Sequence, residues 1–121
     1  MPPIDFARAR AFIADVPAGR WTSYKDVAMA AGSPNGAQAV GQWLRREGHI
    51  VPGVHRVLTV DGFVADGFVP AGPGVPDGEV EVRRALRLEG VRIDDRGRAS
   101  TSQRFTAEVW RPGKAGPRAQ D

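Results

Sequence analysis

Residues 22–48, TSYKDVAMAAGSPNGAQAVGQWLRREG, decide the fold. Ser23, followed three residues later by Asp26, forms a capping pair that starts a short helix over about 24–31, and Gly32 can leave that helix at its C′ position. Ser33 as N-cap and Pro34 at the first helical position then predict a third helix, closed by Gly48. Two short helices joined by a Gly-Ser-Pro turn have the pattern of a helix-turn-helix. On the later helix Ala37, Val40 and Leu44 share one face, whereas Gln38, Gln42 and Arg45 share another that is free of apolar bulk. The second face is either the solvated side of an ordinary amphipathic helix or a recognition surface. In the latter case the small residues Gly36, Ala37 and Gly41 let a partner backbone come close.

Before this unit, Phe6, Ala9, Phe12, Ile13 and Val16 recur at helical spacing and predict a first helix over about 5–15, ending at Pro17. After it, HRVLTVDGFVA (55–65) reads as two β-rich runs joined by Asp61-Gly62, a hairpin. DGFVPAGPGVPDG (66–78) is loop by composition, EVEVRRALRLEG (79–90) is a last helix closed by Gly90, and VRIDDRGRAS (91–100) suggests a second small hairpin around Arg96-Gly97. Trp21 and Trp110 belong to the core or its edges, and residues 112–121 are expected to form a disordered tail.

The totals narrow the function classes. A chain of 121 residues buries one modest core, so one domain is expected. The longest apolar runs fall far short of a membrane helix, and MPPIDFARAR lacks the apolar stretch of a secretory leader, which makes the cytoplasm the expected location and a membrane partner unexpected. Cysteine is absent, which excludes thiolate nucleophiles and cysteine-held metals, and with only two histidines no metal site and no cofactor is expected. The net charge of +3 is unevenly spread. Residues 61–82 hold five acids and no base, while residues 83–121 hold ten bases against five acids. One side facing a polyanion produces such asymmetry; so do solvated arginines.

Taken in order, VPAGRWTSYKDVAMAAGSPNGAQAVGQWLR, GVHRVLTVDG and LRLEGVRID resemble the DNA-binding domain of the O6-alkylguanine-DNA alkyltransferases, most strongly over residues 16–94. That family usually runs proline-x-glycine, threonine-tyrosine, a glycine-x-proline turn, alanine-valine-glycine, proline-cysteine-histidine-arginine-valine and a late glutamate-glycine. The resemblance implies a fold that is mainly α with a small β-hairpin, a winged helix-turn-helix-like single domain over residues 1–111. Val54 falls on the family's nucleophilic cysteine and Gly53 on the proline before it. Solitary domains with that cysteine replaced are known as alkyltransferase-like proteins. An isopropyl group has neither a lone pair nor a titratable proton, so alkyl transfer is closed to this chain.

What the resemblance implies is a degenerate site of Val54, His55 and Glu89, in which His55 matches the histidine that activates the cysteine through water and Glu89 the carboxylate that orients it. Without the nucleophile, the pair is either a hydrogen-bonded tie between the hairpin and the last helix or a holder of water or a base edge. Arg56 is expected to buttress the fold. Tyr24 matches the tyrosine that presses on a phosphate and helps rotate a nucleotide outward, unless it is plain core. With Thr22, Ser23, Lys25, Asn35, Gln42 and Arg45 it makes the expected DNA-binding set. Gln38 stands where relatives carry an arginine that enters the duplex from the minor groove, keeping donors but losing charge and stacking surface. Trp43, Leu44, Val54, His55, Val57 and Phe68 are the expected lining of a lesion pocket, with Trp43 also readable as core.

The function implied is a non-enzymatic DNA-binding protein. It recognises O6-alkylguanine or otherwise distorted DNA by minor-groove insertion and nucleotide flipping, and flags it for nucleotide excision repair. Double-stranded DNA and nucleotide excision repair proteins are the implied partners, with the chain a monomer associated with the nucleoid when bound. The alternative is a general DNA-binding or regulatory module without lesion specificity.

Overall fold

The structure is a computed structural model and describes residues 4–47, 51–65 and 78–111. Four helices carry it: α1 (Phe6–Ala14), α2 (Tyr24–Ala30), α3 (Ala37–Glu47) and α4 (Glu79–Leu88), with two-residue strands β1 (Thr22–Ser23) and β2 (Val57–Leu58). The fold is thus mainly α with a small β component, as the sequence implies.

Local chemistry sets the ends of these helices. Asp5 caps α1 by accepting the Arg8 amide at 3.1 Å, and α1 buries Ala9, Phe12 and Ile13 along one stripe. At α2, the Ser23 hydroxyl accepts the Asp26 amide at 3.1 Å and donates to the Asp26 carboxylate at 2.7 Å, so the capping pair read from the sequence is present. Gly32, at φ +83°, donates to the Met29 carbonyl, and Ser33 donates to that of Ala28, which satisfies two orphan carbonyls in a Schellman ending. Gly90, at φ +102°, ends α4 in the same way, with Val91 donating to the Leu86 carbonyl and packing beside it in the core.

Two sequence expectations change. The third helix does not open at Ser33-Pro34 but at Ala37. Ser33-Pro34-Asn35-Gly36 forms a tight turn, with the Gly36 amide donating to the Ser33 carbonyl at 2.8 Å. Proline at the second turn position and glycine at the fourth satisfy that geometry better than they would extend a helix. Ser33 is fully buried and caps nothing. Gly36 stands in close quarters, since a Cβ there would meet Ile4 Cδ1 at 2.8 Å and the Ser33 carbonyl oxygen at 3.1 Å, so a larger residue requires its neighbours to shift.

The expected hairpin over 55–65 also becomes something else. Residues Val54–Arg56 form a single 3₁₀ turn, and Val57–Leu58 pairs in parallel with Thr22–Ser23, registering Thr22 on Val57 and Ser23 on Leu58. The chain does reverse at Asp61-Gly62, with the Thr59 amide donating to the Phe63 carbonyl at 2.8 Å, but the return run makes no strand. Gly62 instead accepts the Ala99 amide at 2.9 Å. The second hairpin is there in reduced form, as an antiparallel bridge between Ile93 and Ala99.

The core has two lobes. Phe12, Ile13, Val27, Val40, Trp43, Leu44, Val54 and Val57 fill the one between α1, α2 and α3, closed by Trp110. Trp21, Leu58, Val82, Leu86 and Val91 fill the one under α4. β1 and β2 run between the lobes, which is why Val57 faces one and Leu58 the other. The last described segment is sewn in by Phe12, whose ring lies 5.5 Å from Phe105 and 5.2 Å from Trp110. Such pairs add about 0.5–1.5 kcal/mol each beyond the area they bury. Among the described residues no helix is long and apolar enough to cross a membrane.

Candidate nucleic-acid interface

A groove of about 620 Å³ lies along α3, walled on one side by the start of α2 and on the other by the loop of residues 59–65. Gln38, Gln42 and Arg45, at i, i+4 and i+7, are all exposed and line it together. Tyr24 and Lys25 reach it from α2, Asn35 from the turn, and Thr59, Val60 and Ala65 from the opposite wall. Gly41 sits in its floor, where a Cβ would meet nothing within 4 Å. Packing inside the chain therefore gives no reason for glycine at mid-helix, where it costs about 0.5–1 kcal/mol against alanine. Its effect is to keep the groove open beside Ala37.

Tyr24 is half-buried at the groove edge. Burial pushes its phenol up to about 12, and the nearby Arg45 charge offsets this only in part. The hydroxyl is thus a proton donor throughout the physiological range, in a groove that Lys25 and Arg45 also line.

The remaining sequence-derived residues do not join this groove. Thr22 and Ser23 are completely buried, with the Thr22 hydroxyl donating to the Phe105 carbonyl at 2.7 Å and that of Ser23 spent on Asp26. Neither side chain is left to grip a phosphate. The expected apolar pocket is likewise not assembled among the described residues. Val54 and Val57, at 2% and 1% exposure, are core, and Trp43 packs against Phe6 with ring centroids 4.9 Å apart. Leu44 alone of that set touches the groove, and Phe68 lies outside the described residues.

His55 and Glu89 do meet, but as part of a tie. His55 Nε2 lies 2.9 Å from Glu89 Oε2, Arg56 donates through Nε to Oε1 at 2.9 Å and through Nη2 to Oε2 at 2.7 Å, and its Nη1 reaches the Val16 carbonyl at 3.0 Å. Burial raises the Glu89 carboxyl, but the hydrogen bonds and charges of Arg56 and His55 outweigh this and hold it below the usual carboxylate range. One carboxylate at the end of α4 thereby pins the 3₁₀ turn and, through Arg56, the chain after α1. Gly53 starts that turn at φ +82°, with a built Cβ 3.0 Å from the Ile13 carbonyl. That angle is closed to proline, so the backbone as it stands here accepts glycine and not proline.

Sequence reasoning missed Thr59, Val60 and Ala65 as groove residues, because it read them as strand. It also missed the ion pair of Asp26 with Arg104, at 2.7 Å, and the 2.7 Å bond from Trp110 Nε1 to Asp15. Their sequence separations of 78 and 95 left no local signal. Among the described residues no cluster of three metal-ligating side chains occurs.

The chain is similar to several known proteins. Residues 6–91 match the family described as 6-O-methylguanine DNA methyltransferase, DNA binding domain. A DNA base-flipping protein of Escherichia coli (strain K12) is 38% identical over 87 residues, which are 70% of this chain and 60% of that protein. One from Shigella flexneri matches to the same extent, so the chain spans about 60% of the length of the curated relatives it matches. Among solved structures, S. pombe Atl1 in complex with damaged DNA containing O6-carboxymethylguanine superposes with a TM-score of 0.61 at 21% identity, over 84% of this chain and 94% of that one. S. pombe ATL in complex with DNA gives 0.57 at 23%, over 88% and 94%.

Proposed function

Because this chain belongs to the DNA-binding-domain family of the 6-O-methylguanine DNA methyltransferases, we propose that it is a non-enzymatic, monomeric DNA-binding protein that holds O6-alkylguanine or otherwise distorted duplex DNA. The observation that carries this reading is the groove, where Gln38, Gln42 and Arg45 face Tyr24 and the 59–65 loop across a space of about 620 Å³. Specific ligand sites fall at roughly 300–1,000 Å³, so an extruded base fits. α3 enters the minor groove, Gln38 fills the vacated stack, and Tyr24, Lys25 and Arg45 take the phosphates. The base is held against Leu44 and Val60. With no cysteine in the chain, no thiolate is present to accept the alkyl group, so the lesion is retained rather than repaired. Retention makes the complex a flag for nucleotide excision repair, in the cytoplasm and on the nucleoid. The similarity to a DNA base-flipping protein and to Atl1 in complex with damaged DNA supports this assignment.

The test is fluorescence anisotropy on matched duplexes with and without O6-methylguanine at stated salt, with a fluorescent base opposite the lesion to report extrusion. Tighter binding of the modified duplex is expected, and equal affinity for both refutes lesion recognition. Gln38→Arg restores a flat cation at the stack and is expected to raise lesion affinity by about tenfold, since a cation stacked in a desolvated site contributes on the order of 1–2 kcal/mol. Flagging is tested by adding purified excision-repair damage-recognition proteins to the preformed complex, where no ternary species defeats that part. A second reading has one observation behind it: Gln38 and Gln42 lie one turn apart on an exposed face, and glutamine pairs bidentately with adenine. A sharp consensus from sequence selection on undamaged DNA favours it.

A further inference from the structure

A second, shallower hollow of about 400 Å³ is formed by the 92–101 segment, within the base-rich later part of the sequence. Arg92 and Arg98 line it with the Ser100 and Thr101 side chains, against one carboxylate, Asp94. Asp94 Oδ1 accepts the backbone amides of Arg96 and Arg98, each at 2.9 Å, so it orders the turn, and its charge offsets the Arg96 and Arg98 guanidinium groups only from beyond ion-pair distance. Arg87 and Arg96 are exposed nearby, Arg87 reaching the Ile93 carbonyl at 3.3 Å. Among the described residues none of these four arginines has a carboxylate within ion-pair distance, whereas Arg56, Arg83 and Arg104 each do. The four cations outnumber the two carboxylates of this turn, Asp94 and Asp95, and the net positive charge that remains favours an external anion.

The hollow is built onto the groove. Arg98 Nε donates to the Asp61 carbonyl at 2.9 Å and the Ala99 amide donates to the Gly62 carbonyl at 2.9 Å. Thr59 and Val60, the two residues before them, line the groove. The packing also demands the small residues found there, since a Cβ on Gly62 would lie 3.0 Å from the Ala99 carbonyl. The two concavities are therefore held in fixed relation across a single turn of chain. A DNA strand presents a phosphate every ~3.4 Å of helix axis, so a duplex seated in the groove carries its backbone past this turn. Guanidinium forks match phosphate geometry, and a shallow shape suits an edge-on backbone rather than an enclosed small ligand.

We propose that the arginine-lined hollow of residues 92–101 is a second phosphate-backbone contact for the duplex bound in the groove, insensitive to sequence and to the lesion. This rests on the DNA-binding reading above and extends the footprint past the helix-turn-helix, along the strand that crosses the 59–62 turn.

The experiment compares the full chain with Arg92→Gln/Arg98→Gln and Arg92→Lys/Arg98→Lys, on long duplexes with and without O6-methylguanine, across a salt series. Two lost contacts lower the slope of log K against log salt by about 1.8. Between 50 and 200 mM salt the wild type then loses about tenfold more affinity than the glutamine variant. The expected result is that slope change, equal on both duplexes, with the lysine variant keeping the wild-type slope. An unchanged slope in the glutamine variant overturns the proposal, as does an equal loss in the lysine variant, which points to a role in shaping the 59–62 turn. Tyr24→Ala separates the two levels. If it weakens binding while the glutamine variant leaves the slope intact, the second contact alone fails; if the wild type binds neither duplex at low salt, the DNA-binding reading fails with it.

Discussion

Replacing Glu89 by alanine removes the acceptor of three hydrogen bonds, two from Arg56 and one from His55, and strands the Arg56 guanidinium between α1 and the 3₁₀ turn. Bonds to charged groups contribute about 1.5–3 kcal/mol each, and breaking a fully buried pair costs about 3–5 kcal/mol. These side chains are 16–21% exposed, so water takes over part of the lost interaction. The expected cost is about 2–3 kcal/mol, which for a domain of roughly 100 residues lowers Tm by on the order of 10 °C. Glu89→Gln keeps one acceptor and loses the charge, and is expected to cost about half as much. The pH dependence identifies the cause. The folded Glu89 carboxyl ionises below its ordinary value, the Arg56 and His55 bonds and charges outweighing burial. Its contribution is therefore complete above the unfolded pKa, near 4.3, and is lost as pH falls through the folded one. Circular dichroism melts and urea titrations of wild type and Glu89→Gln from neutral to acid pH measure the difference directly. A Tm change of only a degree or two, or a wild-type advantage that stays constant down to about pH 3, would refute the reasoning.

Three further outcomes are expected. Arg104→Ala leaves the Asp26 carboxylate, 3% exposed, without its cation and should cost about 3 kcal/mol in urea denaturation; a loss under ~1 kcal/mol shows that Ser23 alone sustains the charge. Gly53→Ala forces a side chain to φ +82° and to 3.0 Å from the Ile13 carbonyl, so a loss of about 1–2 kcal/mol is expected in the same assay, and a neutral result contradicts that backbone geometry. Tyr24 is the single tyrosine of the chain, so ultraviolet titration reads it alone; a midpoint near 12 is expected, and one near 10 means the phenol is not desolvated.

The helix ends were legible because their signals are local. Ser23 with Asp26, Gly32 and Gly90 each act within a few residues, and the structure uses all three as helix ends. Local signals also compete, and at Ser33-Pro34-Asn35-Gly36 turn chemistry prevailed over capping, the Gly36 amide closing the turn on the Ser33 carbonyl. The exposed face of α3 followed from helical spacing, and Gln38, Gln42 and Arg45 do line one groove. Spacing could not tell which neighbouring side chains turn inward. Thr22, Ser23, Trp43, Val54 and Val57 went to the core because each lies where two layers meet, while Val60 stayed at the groove.

By itself, then, the sequence determined that four helices form, the ends marked by Ser23, Gly32 and Gly90, and the absence of a thiol nucleophile, since each depends on residue type or on neighbours a few positions away. Tertiary structure decided the partners. Val57–Leu58 pairs in parallel with Thr22–Ser23, Glu89 ties Arg56 and His55, Arg104 neutralises Asp26, and Arg98 clasps the turn at Asp61. The physical reason is distance along the chain. These contacts join residues 33 or more positions apart, and which of many polar groups ends beside which is settled only when the two lobes of the core pack and every buried charge must find a partner.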